Sequence, residues 1–203
     1  MKIGALALVL VYGCSNEHVA DDPCEIVTGE GAPEVEILVR DIDGDVRVAE
    51  DMTPVDLMLP PQGGKVMLVA PRVRNMSGCS MRVTTSLRDE CSGRIIGLEA
   101  RPLRFVPGTD GWAEPIDPHL VSNWSNVPTC PSAAADRNIA GEPYTLTVTV
   151  EDDEGRSATA SRTIIPTCAE PENLDRCSCE CSAAYRLGEA CVIDEAPPAG
   201  GCS

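Results

Sequence analysis

Five cysteines crowd the end of this chain: Cys177, Cys179, Cys181, Cys191 and Cys202. Thiols at that density either ligate a soft metal ion or join as disulfides. A thiolate site would draw on Cys177, Cys179, Cys181 and Cys191. Zinc sites usually separate paired ligands by at least two residues, whereas here the gaps are single residues, so disulfides are the preferred reading. The chain has eleven cysteines. Setting Cys14 aside leaves an even number, as a fully paired framework requires: Cys24, Cys79, Cys91 and Cys130, then Cys168 and the five of the tail. Cys79 and Cys91 bracket a strand-like run and are placed to close on each other, and Cys130 and Cys168 to tie a long loop to the last strand. The odd number in the tail draws in Cys24. Such density suits an oxidising compartment.

Asp41, Asp43 and Asp45 alternate around Gly44 like the opening of a calcium loop, where hard oxygens converge on the ion. Gly44 stands two places early for that loop, and the closing Glu is missing. The rival reading is a hairpin turning at Asp43-Gly44, which is preferred, and the acidic stretch 151–154 is read the same way. No metal or other cofactor is therefore expected. The two histidines, His18 and His119, belong to no metalloprotease helix motif. Nucleophile elbows and phosphate-binding glycine loops are also absent. The expectation is a non-enzyme, with a hydrolase held as an alternative because paired carboxylates leave no spacing signature.

The elements that must position these residues have the period of strands. Val35, Ile37 and Val39 alternate with acids; Met81, Val83, Thr85 and Leu87 alternate with polar residues; Tyr144, Leu146, Val148 and Val150 alternate with threonines. Residues 66–70 are apolar on both parities and predict a central strand. Asp43-Gly44, Gly63-Gly64, Ser92-Gly93 and Glu154-Gly155 supply turns. Residues 107–143 lack strand periodicity and are long for a connection. They hold Asp110, Trp112, His119 and Trp124, a candidate recognition surface; the rival reading has the two Trp side chains plugging a sheet edge. Asp117 before Pro118 predicts a short helix reaching about Trp124.

These patterns predict an all-β, antiparallel β-sandwich over residues 33–168, followed by a disulfide-rich, mostly irregular tail over 169–203. Residues 141–165, GEPYTLTVTVEDDEGRSATASRTII, resemble the last two strands of immunoglobulin-like domains, most of all bacterial PKD-type modules. The resemblance implies that Tyr144 turns its hydroxyl back to the backbone.

At the other end, Lys2 precedes an apolar run over 3–11, and Tyr12 and Gly13 lead into Cys14. That run is too short to cross a bilayer, which takes about 20 residues. The order of charge, apolar run and small residue is that of an export signal. Val11, Tyr12, Gly13 and Cys14 resemble the lipobox of bacterial lipoproteins. That likeness implies cleavage of residues 1–13 and lipidation of Cys14, and Ser15, in place of Asp, favours the outer membrane; the polar, acidic and aperiodic residues that follow make 14–32 a lipidated tether. The formal net charge of −16 makes nucleic acid and anionic lipid surfaces poor partners. The combined expectation is a lipid-anchored envelope protein that binds or scaffolds an envelope or extracellular protein. A carbohydrate-binding module using Trp112 and Trp124 is the first alternative.

Overall fold

The computed structural model describes residues 31–78 and 80–191. The lipobox with Cys14, and also Cys24, Cys79 and Cys202, lie outside the described residues. Ten strands follow one another: β1 (Glu34–Arg40), β2 (Val46–Val48), β3 (Thr53–Leu57), β4 (Lys65–Arg74), β5 (Ser80–Arg88), β6 (Ile95–Pro107), β7 (Ala113–Pro115), β8 (Ser125–Cys130), β9 (Tyr144–Glu151) and β10 (Ser157–Cys168). One helix, α1 (Leu174–Glu180), comes after them.

The strands make two layers. In the first, β4 pairs with β1 on one side and β8 on the other, and β2 adds outside β1. In the second, β5 pairs with β6 and β9, β9 with β10, and β3 runs parallel to β10 at the edge. Short β7 pairs with both β4 and β6, so the layers are joined along one side. This is the antiparallel sandwich that the alternating patterns require. Its core takes the inward residues of both layers, among them Ile37, Val39, Met67, Val69, Met81, Val83, Leu146 and Val148. Close approach of the layers is set at Gly97, where an added Cβ would fall 2.0 Å from the Pro128 carbonyl oxygen.

The double-sided apolar character of β4 has a direct cause. Met67 and Val69 point into the main core. Leu68 and Ala70 point the other way and are covered, with Leu38, by Trp124. The turn at Asp43-Gly44 joins β1 to β2 in register, Arg40 opposite Val46, so the hairpin reading holds. The Asp41 carboxylate accepts the N–H groups of Asp43 and Asp45 and pairs with Arg47 at 3.2 Å. Its oxygens thus serve the turn.

Two expectations for 107–143 are corrected. The segment contains strands β7 and β8. The β8 sequence, SNVPTC, hides its inward face because two of the buried residues are Ser125 and Thr129, whose hydroxyls are satisfied by Thr85 and by the Val127 carbonyl. Pro128 is tolerated because β8 pairs with one neighbour only. No α-helix runs from Asp117 to Trp124. Asp117 takes a left-handed φ of 45° and its carboxylate caps the His119 N–H, leaving a single 3-10 turn at Val121–Asn123.

Candidate binding cleft at the stapled end

Strands β8 and β10 belong to different layers, and each ends in a cysteine, Cys130 and Cys168. The expected bond between those two is not formed. After β10 the chain makes a 3-10 turn at Pro171–Asn173 and then α1, which carries Cys177 and Cys181 back to the strand ends. Cys168 bonds Cys177, Cys130 bonds Cys181, and Cys179 bonds Cys191. A helix is what brings Cys177 and Cys181 to one side, since residues four apart share a face. The thiolate quartet considered from the sequence is therefore divided among three disulfides. Sγ of Cys177 lies 3.9 Å from Sγ of Cys181, and these two sulfurs cluster with that of Cys168. Oxidised to disulfides, they have no thiolate to give a metal. Cys91 is also disulfide-bonded, while Cys79, its expected partner, and Cys24 lie outside the described residues.

Hydrogen bonds knit the returning tail to two loops. The Ile139 N–H donates to the Cys181 carbonyl at 2.8 Å, and the Ala183 N–H to Asn138 Oδ1 at 3.0 Å. The Leu59 N–H donates to a Glu170 carboxylate oxygen at 2.9 Å. Loop 131–143 is fixed from beneath by a buried ion pair. Arg137, 7% exposed, donates from Nε to Asp89, 1% exposed, at 2.7 Å. The same guanidinium stacks over the Tyr144 ring at 4.2 Å and donates to the Pro143 carbonyl.

Burial pushes the Asp89 carboxyl upward, but hydrogen bonds from Ser92, Arg137 and the Cys91 N–H together hold it below its ordinary value. Asp152, at the turn between β9 and β10, behaves likewise: burial raises it, and N–H groups of Ser77, Arg156 and Glu154 with the Arg156 charge bring it down. The Tyr144 phenol, raised chiefly by burial, is pushed up to about 12. Its hydroxyl donates back to the Asn138 carbonyl at 3.0 Å, the role that the resemblance implied.

Two neighbouring clefts open at this end. One, of about 410 Å³, lies between loop 131–139 and the tail and is lined by Asp136, Ile139, Ala183 and Arg186, among others. The second, of about 420 Å³, runs between the turn that precedes β4 and the end of β8, and is lined by Gln62, Lys65, Ile96 and Thr129, among others. Pro131 and Leu187 line both. Leu187 stands 86% exposed, an apolar side chain held in water at the rim.

The candidate recognition residues of the sequence do not gather into a site. Trp124 is 0% exposed, and its indole N–H donates to the Pro118 carbonyl at 2.9 Å. Trp112 is 9% exposed and lies under two guanidinium groups, with Cζ of Arg72 at 4.9 Å and of Arg74 at 4.6 Å from the ring centre. Asp110 accepts the Trp112 N–H and pairs with Arg72 at 3.5 Å. His119 is exposed beyond them on the loop. Both Trp side chains are buried, as the plugging alternative has it, but Trp124 covers the outer face of β1 and β4 instead of a sheet edge, and a pair of exposed rings for sugars is not formed. Lys65, Arg137 and Leu187 give no signal in the sequence, because charged residues are ordinarily assigned to water and the lone Leu187 has no periodic partner. No protein-family model matches the chain, and no curated protein matches it.

Proposed function

We propose that this chain is a lipid-anchored bacterial envelope protein, tethered through Cys14, whose stapled end binds or scaffolds another envelope or extracellular protein without catalysis. The observation that carries the reading is that every cysteine among the described residues is disulfide-bonded. Such a framework is maintained outside the reducing cytosol. The resemblance of residues 11–14 to a lipobox supports the anchor, and several acyl chains hold a protein where one would not, at about 0.8 kcal/mol for each buried methylene. The clefts flanking Leu187, on a rigidly stapled frame, support the choice of binding end, since recognition favours pre-ordered surfaces. Ser15 in place of Asp supports the outer membrane.

Metabolic labelling with an alkynyl palmitate analogue tests the anchor. The wild-type product should carry the label and partition with membranes, and Cys14→Ala should do neither. Thiol titration of the wild-type product should find none free. An unlabelled product with most thiols reduced overturns the proposal.

A further inference from the structure

Downstream of Cys14 the chain has one lysine, Lys65, while all its other basic side chains apart from His are arginines. That single lysine is not on the surface. It is the first residue of β4, opposite Cys130 of β8, and is 2% exposed. Its Nζ is buried and has no hydrogen-bond partner among the described residues. A formally charged group withdrawn from water without a partner is strongly disfavoured, so a buried lysine ordinarily pairs with a carboxylate. Among the described residues Lys65 has none, yet it lines the cleft of about 420 Å³.

The surroundings are suited to a small guest. Gly63 and Gly64, with φ of 88° and 76°, turn the chain just before Lys65, and a Cβ on Gly63 would meet nothing within 4 Å. The open space lies at Gly63, whereas a Cβ on Gly64, beside the lysine, would meet the Cys130 carbonyl oxygen at 3.3 Å. Val66, Ile96 and Leu187 offer apolar walls, and Gln62 and Thr129 offer polar groups. The volume falls within the range of about 300 to 1,000 Å³ typical of small-molecule sites.

We infer that this cleft binds a small carboxylic acid with a short apolar body, its carboxylate meeting Lys65 and its body lying against Ile96 and Leu187. A lysine is a point charge suited to one carboxylate, whereas phosphate recognition favours forked arginines. The strongly acidic chain repels multiply charged anions at long range, which further favours a singly charged guest. The inference rests on the reading of the stapled end as the binding end. It is tested without any partner protein or membrane, so failure of palmitate labelling would leave it standing.

The probes are hexanoate and its neutral counterpart hexanamide, applied to the full mature chain. Because Lys65 is the sole lysine, acetylation by an amine-reactive ester can be followed at that one position by peptide mass spectrometry. Hexanoate at ten times its Kd should slow acetylation of Lys65 by about tenfold, as mass action requires, and hexanamide should leave the rate unchanged. Hexanoate should also raise Tm of the wild type and not of Lys65→Met. Equal protection by the amide, no protection by the acid, or an amine that never reacts in the free protein would each overturn the site. Should Lys65→Met fail to fold, the protection measurement on the wild-type chain decides alone.

Discussion

Replacing Arg137 by Met keeps an unbranched apolar stem and removes the guanidinium that faces Asp89, stacks over the Tyr144 ring and donates to the Pro143 carbonyl. The guanidinium gives Asp89 its shortest bond from outside the turn, at 2.7 Å, and lies 3.5 Å from Glu142. Removing one partner of a buried ion pair costs about 3 to 5 kcal/mol, because the other charge stays buried. Asp89 keeps the Ser92 hydroxyl at 2.7 Å and the N–H groups of Cys91 and Ser92. These place the loss at the lower end, about 3 kcal/mol. For a chain of this size that lowers Tm by roughly 6 to 12 °C.

Urea unfolding at neutral pH with disulfides intact, followed by fluorescence of Trp112 and Trp124, reads the difference. The sign with pH follows from the depressed Asp89 carboxyl. Its stabilisation is fully present above the unfolded value near 4 and is lost as pH falls through the still lower folded value. The wild-type and Arg137→Met curves should therefore converge in acid. A double-mutant cycle with Asp89→Asn should be non-additive by more than about 1 kcal/mol. A loss below about 1 kcal/mol for Arg137→Met, or simple additivity, would refute the account of the buried pair.

Three further outcomes are expected. Cys130→Ser with Cys181→Ser opens a loop of 51 residues and should cost about 4 kcal/mol; Cys168→Ser with Cys177→Ser opens one of 9 and should cost about 2.6 kcal/mol, both read by urea titration. Gly97→Ala drives a methyl group into the Pro128 carbonyl and should cost on the order of 3 kcal/mol, or abolish soluble expression. Tyr144→Phe should lose about 1 kcal/mol at neutral pH. Its phenol proton is held up to about 12 in the folded state against about 10 unfolded, so wild-type stability should fall as pH rises through that interval. Urea midpoints across that interval should show a shallower decline for Tyr144→Phe.

The strands that the sequence reveals are those whose two faces differ in chemistry. β1, β5 and β9 alternate apolar and polar residues, and the stretch 66–70 of β4 is apolar on both parities because Trp124 roofs its outer side. β8 escapes notice because its buried Ser125 and Thr129 read as solvent-facing until Thr85 and the Val127 carbonyl are set beside them. Disulfide parity is legible from counting, but pairing is not. That Cys130 meets Cys181 instead of Cys168 depends on α1 folding back across both strand ends, a path set by contacts with Asn138 and Ile139. The cleft is equally silent in sequence. A lysine after two glycines resembles any turn, and only the enclosing β8, Ile96 and Leu187 show that its amine is enclosed.

The crossing of α1 between the layers also determines how the molecule carries tension. A pull applied at Cys191 enters α1 through Cys179 and divides there, one path leaving through Cys177 to the end of β10 and the other through Cys181 to the end of β8. Covalent links thus spread the load over both layers before any single strand can be unzipped from its neighbour. Between Cys130 and Cys191 the chain cannot be drawn out to its full length until these sulfurs are reduced.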